Sequence, residues 1–230
     1  MYLEKQGDLA IIKDINPLYF RLYNLLPNGK YVIEEAEKLN LRLGINNVFF
    51  EYYKPLNKFT ITGRVIYRGK VIEPVPLVKD WAYTFFILNN KDIKLRKYNE
   101  IIPRRRSQIH LAIEAGPRLI VDENITEGLN NTFRSSKICI GWDKNQRIMV
   151  AATEGKVSLN EFAEQIQDQG FIYALNLDGG GSTSLYYNEN GVKLRIIGKS
   201  SYGYDKIKFE QNEYGRKVPY MVGIPKFIDK

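Results

Sequence analysis

Cysteine and histidine are almost absent from this chain, and each shortage excludes a class of site. Cys139 is the single cysteine, so no intramolecular disulfide can form, and this usage favours a reducing compartment such as the cytosol. His110 is the single histidine, which excludes a multi-histidine metal site and leaves one residue for any serine–histidine triad. His110 alternates with apolar neighbours, as residues of a strand do, and we expect it to be structural.

Long hydrophobic runs are also missing. No stretch of about 18 apolar residues occurs, so we predict no membrane-spanning helix. Residues 1–13 carry mixed charges and lack an apolar stretch ending in small residues, so a secretory signal is not predicted there. Linkers, low-complexity tracts and internal repeats do not stand out either, and 230 residues are enough to bury the core of one large domain.

Positive charge is what the composition has in excess. The formal net charge is +8, from 34 basic and 26 acidic residues, and the isoelectric point lies near 9.3. Such an excess attracts polyanions and phosphorylated ligands. A lysine-rich surface with no electrostatic task would give the same composition, so the charge alone does not decide the function.

The pattern of apolar and turn residues predicts an α+β fold, a single domain with a mixed or antiparallel twisted β-sheet and a few packed helices. One helix is expected at about 31–40, and Ser158 with Glu161 forms a capping box that begins a second helix, which Gly170 ends. Strands are expected at about 44–53, 59–67, 82–89, 109–114, 118–121, 138–140, 148–152 and 171–177, followed by a strand–turn–strand unit at 185–194. We divide the chain into an N-terminal segment and helix (1–43) that packs on a domain of residues 44–230.

The most informative segment runs from Leu175 to Ser184 and holds three consecutive glycines between two predicted strands. Such glycines cost backbone entropy on folding, so they are kept where φ is positive or where a ligand lies against bare backbone. Asp178 precedes the glycines and hydroxyl side chains follow them, a set that suits an anionic, oxygen-rich ligand such as a sugar phosphate. The loop matches neither a P-loop nor a dinucleotide fingerprint. Its amides could form an anion-binding nest, and a plain hairpin turn is the structural alternative.

The helix and the strand ending in Asn-Leu-Asp-Gly-Gly-Gly-Ser (158–182) resemble the hallmark of the phosphodiester glycosidase domain family. This is the family of the lysosomal uncovering enzyme, N-acetylglucosamine-1-phosphodiester α-N-acetylglucosaminidase, and of bacterial and viral relatives. The resemblance spans roughly 44–224 and is specific mainly in the order of its motifs. Further matching segments are 115–120, 140–143 and 149–156, with weaker matches at 45–50 and 216–219.

Three departures from the family pattern fall near the presumed site. Asn47-Val48 stands where two glycines are usual, Lys137-Ile138 replaces an Arg-Thr pair, and Glu154 replaces an aspartate. Arginine holds phosphate bidentately where lysine is a point charge, so the second departure changes how an anion would be bound. Arg134-Ser135 could supply the missing pair only with an insertion.

The resemblance implies a hydrolase that cleaves the glycosidic bond of a sugar-1-phosphodiester and releases a free sugar and a phosphomonoester. Positive charge builds on the ring while the phosphate leaves as an anion, so cations and backbone amides are needed more than a strong acid. A carboxylate is still needed to activate water or to stabilise the ring. The expected catalytic residues are Asp178, Glu154 and Glu114, and the expected substrate-binding residues are Asn46, Arg134, Lys137, Gly179, Gly180, Gly181, Ser182, Thr183 and Arg216.

Expectations for cofactors and partners follow from the same resemblance. No metal site is evident from spacing and no cofactor is expected, although Asp178 and Glu154 could share a divalent cation if their carboxylates converge. The expected partner is a small phosphodiester or sugar phosphate, with neither nucleic acid nor membrane involved. The oligomeric state does not follow from the sequence. The missing signal and disulfides differ from the lysosomal relative and suggest the cytoplasm of a bacterium or of a phage-infected cell.

Three other interpretations stay open. The scaffold could capture a phosphodiester or nucleotide signal without turnover, or it could hydrolyse a phosphodiester other than a glycosyl one. A basic nucleic-acid-binding protein is the third, because residues 103–106 form a basic run and the 16 tyrosines and 11 phenylalanines could stack on bases. Those tyrosines are spread through predicted strands, however, where they are ordinary β-forming residues.

Overall fold

The structure is a computed structural model that describes residues 1–53, 58–73, 77, 79–97, 106–199 and 214–226. Within these ranges there are two α-helices, α1 (Val32–Lys38) and α2 (Leu159–Gln167). The strands of the same ranges are β1 (Tyr2–Gln6), β2 (Leu9–Ile15), β3 (Arg21–Asn24), β4 (Lys30–Tyr31), β5 (Leu41–Asn46), β6 (Phe49–Tyr53), β7 (Lys58–Thr62), β8 (Val65–Tyr67), β9 (Lys70–Glu73), β10 (Tyr83–Leu88), β11 (Ile93–Arg96), β12 (Ile109–Ala115), β13 (Arg118–Val121), β14 (Asn124–Ile125), β15 (Ile138–Trp142), β16 (Ile148–Thr153), β17 (Tyr173–Asn176), β18 (Ser184–Glu189), β19 (Val192–Ile197), β20 (Lys217–Val218) and β21 (Tyr220–Pro225).

Three larger sheets form the body of the protein. One has seven strands in the order β1-β2-β16-β15-β17-β13-β14, and two have five strands each, β11-β10-β12-β8-β9 and β19-β18-β5-β21-β3. Two-stranded pairs join β20 with β4 and β6 with β7. Strand pairing is antiparallel throughout the described residues, and with two helices this confirms the α+β class predicted from the sequence.

The capping box predicted for the second helix is present at the start of α2. The Ser158 hydroxyl accepts from the Glu161 amide at 3.1 Å, and the Glu161 carboxylate accepts from the Ser158 amide at 2.8 Å. Phe162, Ala163 and Ile166 form the buried stripe of the helix, which packs on one face of the seven-stranded sheet. Alternation along the strands beneath sends Cys139 to that face and its neighbours to the other.

The strands predicted at 138–140 and 148–152 are present as β15 and β16, which form a hairpin with Ile138 opposite Ala152 and Trp142 opposite Ile148. Its turn is held by Asp143, whose Oδ1 accepts from the amides of Asn145 and Arg147 at 2.9 Å each. Strand β17 pairs with the other side of β15 and lies near the middle of the seven-stranded sheet. Because β17 is central, the glycine loop that follows it is anchored to the body of the fold.

The strand predicted at 44–53 is instead two strands in different sheets. Strand β5 ends at Asn46 and β6 begins at Phe49. Between them, the Asn47 side-chain oxygen accepts from the Val48 amide at 2.7 Å, and the Asn47 carbonyl accepts from the Asp178 amide at 3.2 Å. The chain therefore leaves the sheet at this point to hold the loop after β17.

The main hydrophobic core gathers buried side chains from the three larger sheets, and α1 covers a smaller cluster beside β5 and β18. His110 lies within β12, 7% exposed, with its Nε2 3.0 Å from the Phe20 carbonyl oxygen, and burial lowers its pKa. Within the described ranges, neither helix has the length and apolar character needed to span a membrane.

Candidate functional site

The glycine loop is fixed by hydrogen bonds to two neighbouring segments. After β17, the Leu177 amide donates to the Ile138 carbonyl at 2.9 Å, and the Gly180 amide donates to the Ser136 carbonyl at 2.8 Å. Residues Gly180–Ser182 then form one turn of 3₁₀-helix before β18. The loop is thus an ordered turn that is held in place before any ligand binds.

Asn46, an expected substrate-binding residue, holds this loop from the end of β5. Its Nδ2 donates to the Asp178 carbonyl at 2.6 Å, and its Oδ1 accepts from the Ser184 amide at 2.9 Å. The residue is 1% exposed. Both polar atoms of the Asn46 side-chain amide are therefore hydrogen-bonded to the backbone on either side of the loop, and these bonds position the loop.

Two of the three glycines are required for separate reasons. Gly180 has φ of +61°, in the left-handed region that other residues rarely adopt. Gly181 lies under the guanidinium of Arg216, and a Cβ at this position would stand 2.8 Å from Nη2 and 3.1 Å from Cζ. The loop therefore presents bare backbone to a cationic side chain, a contact between distant segments that no local pattern predicts.

Most backbone amides of the loop already have hydrogen-bond acceptors within the protein. Few of them are therefore available for the anion-binding nest expected from the sequence. The amides of Ser182 and Thr183 donate to the carbonyls of Gly179 and Gly180, and Gly180 is bonded as described above. The Gly179 amide donates to the Asp178 carboxyl. Within the described part of the chain, the Gly181 amide has no acceptor, so it is the loop amide that can meet a ligand oxygen.

Asp178 is half-buried where the strand meets the loop. Burial raises the pKa of its carboxyl to about 7, against opposing effects of a hydrogen bond from the Ser182 side chain, the charge of Arg216 and a hydrogen bond from the Gly179 amide. Arg216 in turn donates from Nη1 to the Ser182 hydroxyl oxygen at 3.4 Å. A guanidinium, a hydroxyl and a carboxyl are thereby linked in series, and the carboxyl changes charge near neutral pH.

Lys137 is a cation that has been largely removed from water. It is 4% exposed, and its Nζ donates to the Ser135 hydroxyl oxygen at 2.6 Å and to the Ser135 carbonyl at 3.3 Å. Burial, with a smaller effect from the charge of Arg134, lowers the pKa of Lys137 to about 8, while Glu161 acts in the opposite direction. No carboxylate of the described residues lies within ion-pair distance of Nζ.

Asp178, Lys137 and Arg216 line one cavity of about 420 Å³ together with the three glycines. Six further residues complete its lining, namely Phe49, Asn130, Phe133, Ser135, Leu159 and Asn176. The structure thus brings together six of the residues expected from the sequence. Among the described residues that line this cavity, Asp178 alone carries a carboxyl group.

Other expected residues lie outside the lining. Glu114 is buried in β12, where its Oε2 accepts from the amides of Arg64 and Leu77 at 2.9 and 3.0 Å. Glu154 follows β16 and accepts through its carbonyl from the Ser136 hydroxyl at 3.0 Å. Arg134 pairs with Glu161 at the start of α2. Neither glutamate lines the cavity, so the structure does not bring a second carboxyl beside Asp178.

Ser182 and Thr183, also expected to bind substrate, are buried within the loop and are not part of the cavity lining. The described residues contain no group of three or more His, Cys, Asp or Glu side chains arranged to hold a metal ion.

Of the basic run at 103–106, residues 103–105 lie outside the described residues, so the structure says nothing of that part of the nucleic-acid interpretation.

The lining residues that sequence reasoning missed fall into two groups. Phe49, Ser135 and Asn176 lie within or beside segments that the sequence analysis had already singled out, and that position in the sequence was the available signal. Asn130, Phe133 and Leu159 come from the loop before β15 and from the start of α2. No local pattern marks them, because they reach the cavity through tertiary packing.

Comparison with known proteins identifies a family and similar folds. A family model, phosphodiester glycosidase (NAGPA), matches residues 39–224. The catalytic domain of zebrafish N-acetylglucosamine-1-phosphodiester alpha-N-acetylglucosaminidase, auto-inhibited by its pro-peptide, is similar in structure with a TM-score of 0.71 and 16% identity, over 98% of this chain and 82% of that chain. A hypothetical protein from Synechocystis aligns with a TM-score of 0.55 and 17% identity, over 97% of this chain and 61% of that one.

Among curated proteins, elongation factor 4 of Mycobacterium bovis and of Mycobacterium tuberculosis are each 21% identical to this chain over 183 residues. The match covers 77% of this chain and 27% of each of those proteins. The chain therefore spans about a quarter of the length of the curated relatives it matches, at an identity too low to carry their activity over.

Proposed function

Because the chain belongs to the phosphodiester glycosidase family, we propose that it is a hydrolase that cleaves the glycosidic bond of a sugar-1-phosphodiester. The observation that carries this proposal is the single cavity lined by Asp178, Lys137, Arg216 and the glycine loop. There, one carboxyl that titrates near neutral pH lies with two cationic side chains around bare glycine backbone. The cations and a backbone amide can stabilise the charge of the phosphate, and the carboxyl can activate the water that attacks the anomeric carbon.

The reaction divides between these groups. Lys137, Arg216 and the Gly181 amide stabilise the phosphate as it takes the electron pair of the breaking C–O bond. The ionised carboxylate of Asp178 accepts a proton from the water that attacks the anomeric carbon, and a pKa near the working pH favours that role. The products are a free sugar and a phosphomonoester. A second carboxyl is less necessary than in ordinary glycosidases, because the leaving phosphate is already a stable anion.

Hydrolysis in ¹⁸O-labelled water tests the proposal directly. We expect a panel of α- and β-linked sugar-1-phosphodiesters to include a substrate whose sugar product carries the label, because water attacks carbon. Label in the phosphomonoester would show attack at phosphorus instead and would contradict the proposal. Mass spectrometry of both products decides between the two.

Capture of a phosphodiester without turnover is the second candidate. It is favoured by the lining of the cavity, where Asp178 is the one carboxyl among the described residues. Isothermal titration with the same panel, followed by recovery of the ligand, separates the two functions. Intact ligand after tight binding would support capture, and labelled sugar would exclude it.

Lys137 should limit activity at alkaline pH. With Asp178 required ionised and Lys137 required protonated, kcat/KM should rise with pH through about 7 and fall again above about 8. Lys137→Arg keeps the positive charge far above that range, so the alkaline fall should disappear while the acidic rise stays. Lys137→Met should lower kcat/KM by about 10²-fold, on the scale of losing one charge-stabilising group.

The pH profile of the variant is the decisive measurement for this role. If Lys137→Arg retains the alkaline fall of the wild type, another group titrates there and Lys137 does not contact the phosphate. Arg195→Lys, at an exposed residue of β19 that pairs with Glu37 outside the cavity, is the matched control and should leave the profile unchanged.

A further inference from the structure

One wall of the cavity is apolar and has no part in holding a phosphate. Phe49, Phe133 and Leu159 form it, and Phe133 is 50% exposed. Phe49 contacts Trp81, with ring centroids 5.9 Å apart in an edge-to-face arrangement. An exposed phenylalanine at the edge of a polar cavity offers a flat surface on which the C–H face of a ring can lie.

The loop that presents Phe133 is ordered by Asn130. The Asn130 side-chain oxygen accepts from the Phe133 amide at 2.7 Å, and the Leu159 amide donates to the Asn130 carbonyl at 3.0 Å. These bonds tie the loop to the first residue of α2. The ring is therefore held at the cavity by a fixed backbone despite its exposure.

Asn176 supplies a buried acceptor in the same cavity. The residue is 7% exposed, and its Nδ2 donates to the Gly116 carbonyl at 3.1 Å. That bond fixes the amide, since turning it over would set two oxygens against each other. The Asn176 Oδ1 is buried with no hydrogen-bond partner among the described residues, a costly state unless a ligand or water donates to it.

The positions of these groups order a ligand along the cavity. Asn176 ends β17 and Asp178 follows two residues later, and both line the cavity, so a ring held beside Asp178 lies next to Asn176. The Lys137 Nζ lies 5.6 Å from the centroid of the Phe133 ring. A phosphate on Lys137 would thus stand beside a ring on Phe133, the arrangement of a sugar joined to phosphate through its anomeric oxygen.

From this juxtaposition we propose that Phe133 and Asn176 form the subsite for the sugar ring, with the C–H face of a pyranose on Phe133 and one of its hydroxyls donating to Asn176 Oδ1. The proposal rests on the proposed function and deepens it. It assigns the sugar, rather than the group on the far side of the phosphate, to the apolar wall. The substrates it selects are sugars with a free hydroxyl that can donate to Asn176 Oδ1.

Calorimetry with hexose 1-phosphate and with inorganic phosphate tests the role of Phe133. We expect wild-type protein to bind hexose 1-phosphate more tightly, and Phe133→Ala to weaken that binding by about tenfold while changing phosphate binding less than about twofold. Tyr2→Ala, an exposed aromatic on β1 away from the cavity, is the matched control and should change neither. Equal weakening of both ligands, or of neither, would overturn the assignment.

Single-deoxy analogues of the hexose 1-phosphate test Asn176 without altering the protein. One of them should bind wild-type protein about tenfold more weakly than the parent sugar, because the buried acceptor then loses its donor. Asn176→Ala should remove that difference, with circular dichroism to check folding. If every deoxy analogue binds wild-type protein like the parent, Asn176 is not a sugar contact.

These binding results are independent of turnover. A sugar preference that depends on Phe133, together with no labelled product in ¹⁸O water, would retain the subsite and reject hydrolysis. Labelled sugar together with no effect of Phe133→Ala would retain hydrolysis and reject the subsite.

Discussion

Asp178→Asn should lower kcat by about 10³-fold, on the scale of removing a general base. The substitution keeps the shape of the side chain, and its oxygen can still accept from the Gly179 amide and the Ser182 hydroxyl. Ligand binding should therefore persist while proton transfer is lost. Steady-state rates with the substrate found in the labelling experiment provide the measurement.

The same variant should be more stable than the wild type at neutral and alkaline pH. The Asp178 carboxyl has a pKa raised from 3.8 to about 7, so the unfolded chain loses its proton at lower pH than the folded protein does. The stability associated with the protonated group is complete below about pH 4 and is lost as pH rises to about 7. Asparagine does not titrate, so the variant escapes this loss, by about 1–2 kcal/mol after allowing for solvent screening of a half-buried group.

Urea unfolding at about pH 4 and about pH 8 checks both parts of this prediction. Asp168→Asn, at the exposed C-terminal end of α2, is the matched control and should keep wild-type turnover and stability. Turnover near the wild-type rate in Asp178→Asn would remove this residue from the mechanism. A stability difference that is the same at both pH values would mean that the carboxyl is not held protonated by burial.

Local signals in the sequence account for the elements beside the cavity. The capping box of Ser158 and Glu161 fixes the start of α2 within the chain itself, and the turn held by Asp143 closes the hairpin of β15 and β16. Both depend on contacts between residues a few positions apart, which a sequence pattern displays. The order of strands in the sheets depends on distant pairing, such as β2 beside β16, and no local pattern predicts it.

The same distinction applies to the site. Asp178 and the glycines were identifiable because one segment carries them all. Glu114 has the right chemistry, but the amides of Arg64 and Leu77 already occupy its Oε2, a contact between distant segments. The interruption between β5 and β6 at Asn47 also results from a contact between distant segments, since the Asp178 amide donates to the Asn47 carbonyl. The catalytic and binding roles of the residues that do meet in the cavity stay predictions, and the substitutions above are their tests.

Gly181→Ala should weaken phosphodiester binding and lower kcat/KM by about 10- to 100-fold, because a displacement of about 1 Å in a positioning group can cost about 10²-fold. A Cβ at this position would stand 2.8 Å from Nη2 of Arg216. The guanidinium is the end of a flexible side chain, so it should move aside rather than unfold the loop. The melting temperature should therefore change little, whereas the Arg216 guanidinium should leave its position beside Ser182.

A double-mutant cycle identifies Arg216 as the cause. Arg216→Ala alone should weaken binding at least as much, and adding Gly181→Ala to it should have almost no further effect, since the displaced group is already gone. Gly180→Ala is the matched comparison, because φ of +61° at that position makes the substitution costly through backbone strain. It should lower the melting temperature, which Gly181→Ala should not. Additive effects of Gly181→Ala and Arg216→Ala would contradict this explanation. They would show that the backbone of Gly181 contacts the ligand directly and that Arg216 binds the ligand independently of Gly181.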